Sequence, residues 1–126
     1  MTVKQISVFL ENKMGQLQDL TELLADAKVN LIALNIAETK DYGIVRIIAD
    51  DVALATDSLI GAGYVISVND VQEIAVKNEV GSLNHALKKI ADAGVSIEYM
   101  YSIFGDNDNL SKMIFKVDKP ECFPEF

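Results

Sequence analysis

The chain has 126 residues, half of them apolar, and its eleven Lys and Arg against nineteen Asp and Glu give a formal charge of −8. That is enough chain to bury a core as one domain or two very small ones. A negative field of this size repels phosphate backbones and anionic headgroups, which argues against nucleic acid and membrane surfaces as partners. The single cysteine, Cys122, allows neither an intrachain disulfide nor a cysteine metal cluster. "MTVKQISVFLENK" lacks the apolar core and cleavage site of a signal peptide, and no stretch has the apolar length of a bilayer span. The expected location is cytoplasmic.

Periodicity then gives the elements in order. "VKQISVFL" (3–10) is rich in β-branched and aromatic residues and predicts a strand, closed by the Asn-containing turn "NKMG". From Gly15 the period changes: Leu17, Leu20, Leu24 and Ala27 recur at three- and four-residue spacing while Gln18, Asp19, Glu22 and Asp26 point elsewhere, an amphipathic helix. "NLIALNIAE" and "GIVRIIAD" predict a hairpin around Lys40 to Gly43. A second helix fits 52–62, with Asp51 as N-cap and Gly61 and Gly63 as stops, and "YVISV" closes the unit. The order βαββαβ is the split-βαβ or ferredoxin-like arrangement, with both helices on one face of an antiparallel sheet.

The chain then begins again. "NEVGSL" from Asn78 repeats "NKMGQL" from Asn12 at an offset of 66 residues, "ADAGVSI" (91–97) repeats "ADAKVNL" (25–31) in the same register, and a two-residue insertion sets "KMIFKVD" opposite "IVRIIAD". "VQEIAVKN" predicts the strand, Leu83, Leu87, Ile90 and Ala91 the helix face, and "VSIEYMYSIF" with "SKMIFKV" a hairpin closed by "GDNDNL". After Asp118 only "KPECFPEF" remains, too short for another helix and strand and interrupted by Pro120 and Pro124. The chain therefore reads as an α+β protein with one complete βαββαβ unit over 1–69 and a partial βαββ unit with a short tail over 70–126. The partial unit leaves the far edge of its first strand open, to be covered by the first unit, the tail or another chain.

With both turns in view, "LENKMGQLQDLTELLADAKVNLIAL" resembles the start of an ACT domain, a ligand-binding regulatory module of amino-acid metabolism. The family's turn is similar to N-x-P-G-x-L, followed after the helix by a G-V-N-I-like entry to the second strand. Asn12-Lys13-Met14-Gly15-Gln16-Leu17 and Lys28-Val29-Asn30-Leu31 match in the first copy, and Asn78 to Leu83 and Gly94-Val95-Ser96-Ile97 in the second. Met14 and Val80 stand where the family often has Pro, Lys28 replaces the helix-ending Gly, and the last two elements of the second copy are absent. The resemblance implies a sensor without catalytic activity that binds an amino acid or similar carboxylate, forms a homodimer or higher oligomer, and regulates an enzyme of amino-acid metabolism. In serine-sensing members two asparagines contact ligand across a domain pair, a role that falls here on Asn12 and Asn30. Leu10 replaces the histidine of some of those members and tilts the pocket toward a more apolar ligand.

Elementary chemistry points to the same turn. The first backbone N–H groups of a helix lack intrahelical acceptors and carry the positive end of the dipole, which suits a carboxylate. Gln16 and Leu17 lie there, Met14 and Gly15 precede them, and a glycine lets a ligand approach the backbone. Asn12 and Asn30 each offer an amide donor and a carbonyl acceptor. Asn78, Gly81, Ser82 and Leu83 are the weaker second-copy candidates, because Ser96 replaces the second asparagine. The same residues also suit a plain connector, since Asn and Gly tolerate left-handed backbone.

Other chemistries find less support. His85, the sole histidine, lies off the apolar helix stripe with no nucleophile partner in view. "GDNDNLS" lacks the sixth-position Gly and closing Glu of a calcium loop, so no metal or cofactor is expected. Acylphosphatase-like enzymes of this scaffold need an arginine in the first loop, where this chain has Lys13 and Glu79. RNA-binding βαββαβ modules need stacking aromatics and a basic surface. A ligand-free interaction or dimerisation module is the remaining alternative.

Overall fold

The computed structural model describes every residue except 12, 39–41 and 104–108. Its elements are β1 (Thr2–Glu11), α1 (Gln16–Asp26), β2 (Leu31–Glu38), β3 (Tyr42–Ala49), α2 (Val52–Gly61), β4 (Val65–Lys77), α3 (Ser82–Asp92), β5 (Ile97–Ser102) and β6 (Leu110–Val117), then a 3-10 turn at Pro120–Cys122. The fold is α+β, with the βαββαβ order of a ferredoxin-like unit in its first part. Two compact units divide the chain, Lys4–Asn69 and Asp70–Phe126, and Met1–Val3 group with the second of them, whereas the sequence pattern places them with the first.

In the first unit the strand order is β2-β3-β1-β4. Antiparallel register sets Val8 opposite Val45 and Leu34 opposite Ile47, so alternate residues of each strand reach one face. There Ile6, Val8, Leu10, Val45 and Ile47 meet Leu20 and Leu24 of α1 and Ala55 and Leu59 of α2 in a single core. Asp51 caps α2 by accepting the Leu54 N–H at 3.0 Å. The C-terminus of α1 is closed by paired bonds from Lys28 N–H to the Ala25 carbonyl (3.0 Å) and from Val29 N–H to the Leu24 carbonyl (2.9 Å). This closure demands a left-handed residue at the step after the cap. Lys28 supplies it with φ 64°, the single non-glycine at positive φ among the described residues, and Gly94 does so after α3 with φ 77°. A side chain in that conformation costs about 1–2 kcal/mol. Lys28→Gly should therefore raise stability by about 1 kcal/mol, read as a higher urea midpoint at unchanged slope. A lower midpoint would show that Lys28 makes a compensating interaction.

In the second unit β4, β6 and β5 lie in that order, with Ile74 opposite Met113 and Met100 opposite Phe115. Their inner face packs Ile74, Val76, Phe115 and Val117 against Ala86 and Ile90 of α3. Ala86 takes the place that the sequence pattern gives to Ala91, which is exposed. Ala86 lies three and four residues from Leu83 and Ile90, whereas Ala91 is turned about 100° from Ile90 at 3.6 residues per turn. The backbone N–H and C=O of Glu73 both bond Met1, at 2.7 and 3.0 Å, which covers the strand edge at that point.

Two segments depart from the expected outline. "YVISV" and "VQEIAVKN" are parts of one 13-residue strand, because the backbone runs extended through Asn69 and Asp70. The tail, too short for a further helix and strand, folds back so that Phe123 packs on the second core with its ring centroid 6.2 Å from that of Phe115. Lys89 fixes it by donating from Nζ to the Glu125 carbonyl and standing 4.6 Å over the Phe126 ring. Most of the "GDNDNL" turn lies outside the described residues.

Candidate functional site

β1 ends at Glu11 and α1 begins at Gln16, so the chain must reverse within a few residues. Gly15 is the N-cap with φ 84°, and a Cβ built on it would meet nothing within 4 Å, leaving the backbone open to approach. The turn is tightened by bonds from Lys13 N–H to the Glu11 carbonyl (2.9 Å) and from Gln16 N–H to the Lys13 carbonyl (3.3 Å). The N-cap Gly15 has no side chain to cap α1, and the Gln16 N–H is already held by the Lys13 carbonyl, so the amides left for a ligand are those of Leu17 and Gln18. The second turn repeats this geometry: Gly81 has φ 86°, Glu79 N–H bonds the Lys77 carbonyl at 2.9 Å and Ser82 N–H bonds the Glu79 carbonyl at 3.2 Å.

Beside the first turn lies a hollow of about 110 Å³. Leu10, Leu17, Ile36 and Val45 form its apolar walls, and Lys13, Gln16 and Glu38 its polar rim. Lys13 Nζ also pairs with Glu11 Oε2 at 2.6 Å across exposed surface. The hydrogen bond from Lys13, then its charge, holds the Glu11 carboxyl below the usual carboxylate range, and the reciprocal bond and charge raise Lys13. The hollow, which Glu11 also lines, can therefore offer backbone N–H groups and the Glu11-paired ammonium of Lys13 to an anion, the Glu11 and Glu38 carboxylates to a cation, and apolar contact between them.

Of the residues singled out in the sequence, Gln16 and Leu17 line this hollow and Gly15 stands at its edge as the N-cap. Met14 is fully exposed at the apex of the turn, as Val80 is in the second copy. Asn12 lies outside the described residues. Asn30 sits just before β2, at the far end of α1 from the turn, with its N–H donated to Asp50 Oδ1 and its carbonyl accepting the Asp50 N–H, both at 3.0 Å. Asn78 donates its N–H to the Asn109 carbonyl at 3.0 Å. Ser82 lines a different hollow, on the flank of α3, and Leu83 packs against the second core.

Ile36 and Glu38 escaped sequence reasoning. The signal was topological: in a βαββ order the end of β2 returns to the same end of the sheet as the end of β1, so the last residues of "NLIALNIAE" must face the first turn. Among the described residues there is no group of three or more His, Cys, Asp or Glu able to hold a metal, and no helix is long and apolar enough to cross a membrane.

The turn thus occurs twice, with a left-handed glycine opening each helix. A family model described as an ACT domain pair matches residues 1–125. The chain belongs to the ACT domain pair family. Among solved structures, this ACT domain pair is similar to protein BT0572 from Bacteroides thetaiotaomicron, with a TM-score of 0.89 and 40% identity over 97% of this chain and 84% of that one. It shares its fold with the regulatory subunit of aspartate kinase from Thermus thermophilus in a ligand-free form, with a TM-score of 0.66 and 14% identity over 94% and 85% of the two chains. The same subunit from Thermus flavus gives a TM-score of 0.65 at 14% identity over 94% and 86%. A search of the curated proteins returns no match. ACT domain pairs are a regulatory family that binds amino acids.

Proposed function

We propose that this ACT domain pair is a non-catalytic sensor that binds a free amino acid, or a similar small carboxylate, at the β1–α1 turn of its first unit. The observation that carries the reading is the start of α1, with a glycine and no capping side chain at its N-cap, opening beside a hollow with apolar walls and a mixed polar rim. The ligand carboxylate would take the amides of Leu17 and Gln18, its ammonium would face Glu38, and its side chain would lie against Leu10 and Ile36. Leu10 and the other apolar walls favour a ligand less polar than serine.

The homodimer belongs to the same proposal. Eleven residues of helix separate the turn from Asn30, about 16 Å at 1.5 Å per residue. A ligand touching both the turn and an asparagine of the Asn30 type therefore needs a second unit to supply it. Binding between two units would favour the paired state by its differential affinity and pass that change to an enzyme of amino-acid metabolism. The cytoplasm is the matching location.

A thermal-shift screen of the twenty amino acids tests the reading. One or a few apolar amino acids are expected to raise the melting temperature, since a ligand at a hundredfold its Kd stabilises by about 2.7 kcal/mol, and Asn12→Ala should abolish the shift. No shift from any amino acid at millimolar concentration would sink the sensor reading. It would favour a ligand-free dimerisation module, for which the fully exposed Met14 and Val80 at equivalent turns are the supporting observation.

A further inference from the structure

The second unit carries a hollow of its own, of about 290 Å³, on the flank of α3. Its floor is Val76 and Ala86, both buried. Phe126 forms one wall, and Lys77, His85 and Lys89 share the rim. Its volume stands at the lower end of the roughly 300–1,000 Å³ typical of small-molecule sites.

The repeat supplies an internal control for this rim. At the 66-residue offset Lys77, His85 and Lys89 correspond to Glu11, Asp19 and Leu23. Both N-cap glycines and both left-handed helix ends keep that register, so the positions are equivalent in backbone as well as in sequence. Two acids and a leucine in the first copy have thus become three nitrogen donors in the second, within a chain of net charge −8. Lys88, the neighbouring cation, is already paired with Asp92 at 2.7 Å. Among the described residues Lys77 and His85 have no ion-pair partner, while Lys89 is engaged by the Glu125 carbonyl and the Phe126 ring. Lysine offers three donors and the imidazole at least one, and an anion is the complement of such a rim.

We infer that the second unit has a ligand site distinct from the first turn, formed by Lys77 and His85 above the Val76–Ala86 floor beside Phe126, which takes a small monocarboxylate with a flat apolar body. The carboxylate lies at the Lys77–His85 rim and the apolar body packs on the floor and against the aromatic ring. Acid-only ligands lack the apolar contact, and neutral aromatic ones lack the charge-assisted hydrogen bonds. The inference is independent of the reading of the first unit.

His85 is the only histidine, so its imidazole C–H resonances in a proton NMR spectrum are an unambiguous reporter. Benzoate titrated into the full chain is expected to shift them saturably, with benzamide, which loses the charge-assisted contact, and acetate, which loses the apolar contact of the ring, each binding at least about tenfold more weakly. Lys77→Glu, which restores the residue type of the first copy, should weaken benzoate about tenfold with no change in the thermal transition, because Lys77 is exposed. The inference is overturned if benzoate gives no saturable shift at His85, if benzamide binds as well as benzoate, or if Lys77→Glu binds benzoate as the parent does.

Discussion

Phe115→Ala is expected to lower the unfolding free energy by about 3–5 kcal/mol, the range for truncating a fully buried aromatic. Phe115 has no exposed surface and stands at the centre of the second core, among Ile74, Val76, Ala86, Ile90 and Val117. That cluster is small because the unit lacks a second helix, so each member carries a larger share of the burial. Partial collapse around the cavity would bring the cost toward the lower figure. Phe123, only half-buried against the same core, should cost less when truncated. The chain contains no Trp, so urea unfolding followed by far-ultraviolet circular dichroism is the measurement. A loss below about 1 kcal/mol for Phe115→Ala, well under the range for a core aromatic, would mean that the second unit does not hold itself together through this cluster.

Leu24→Ala is expected to cost about 2–5 kcal/mol. Leu24 is fully buried in the first core, and its carbonyl receives the Val29 N–H that closes the end of α1. The substitution keeps that backbone bond but removes the side chain that packs where the helix ends, beside the buried Val29. The hollow proposed for the ligand lies at the opposite end of α1, so the variant should melt at lower temperature yet keep any increment that the parent chain gains from an amino acid. Loss of the increment while the chain remains folded would place the binding surface at the Asn30 end of the helix instead.

Local chemistry made much of the fold legible. Gly15 and Gly81 announce turns because an L side chain resists φ near 85°, and the structure puts both there. Asp51 announces a helix start because its carboxylate can accept a free amide, and it does. What depends on distant partners was not legible in the same way. Asn69 and Asp70 look like a break by propensity, yet the backbone stays extended through them as part of β4. Ala86 and Ala91 are equally apolar and each lies four residues from a stripe residue, Ile90 and Leu87, and it is Ala86 that the core buries. In the candidate site, Gln16 and Leu17 were found from their place at a helix start. Ile36 and Glu38 come from a strand that reaches the hollow through topology, and nothing in their own sequence marks them.

The left-handed step after α1 bears on how this molecule has drifted since duplication. Gly15 with Gly81, and Lys28 with Gly94, hold the same backbone handedness in both halves while side chains around them have diverged in charge and size. A lysine has thus been tolerated where chirality disfavours it, so chain path has outlasted side-chain identity. Transplanting residues between the halves at matched positions would therefore change chemistry at nearly constant geometry, making the protein its own reference scaffold for asking what each side-chain difference does.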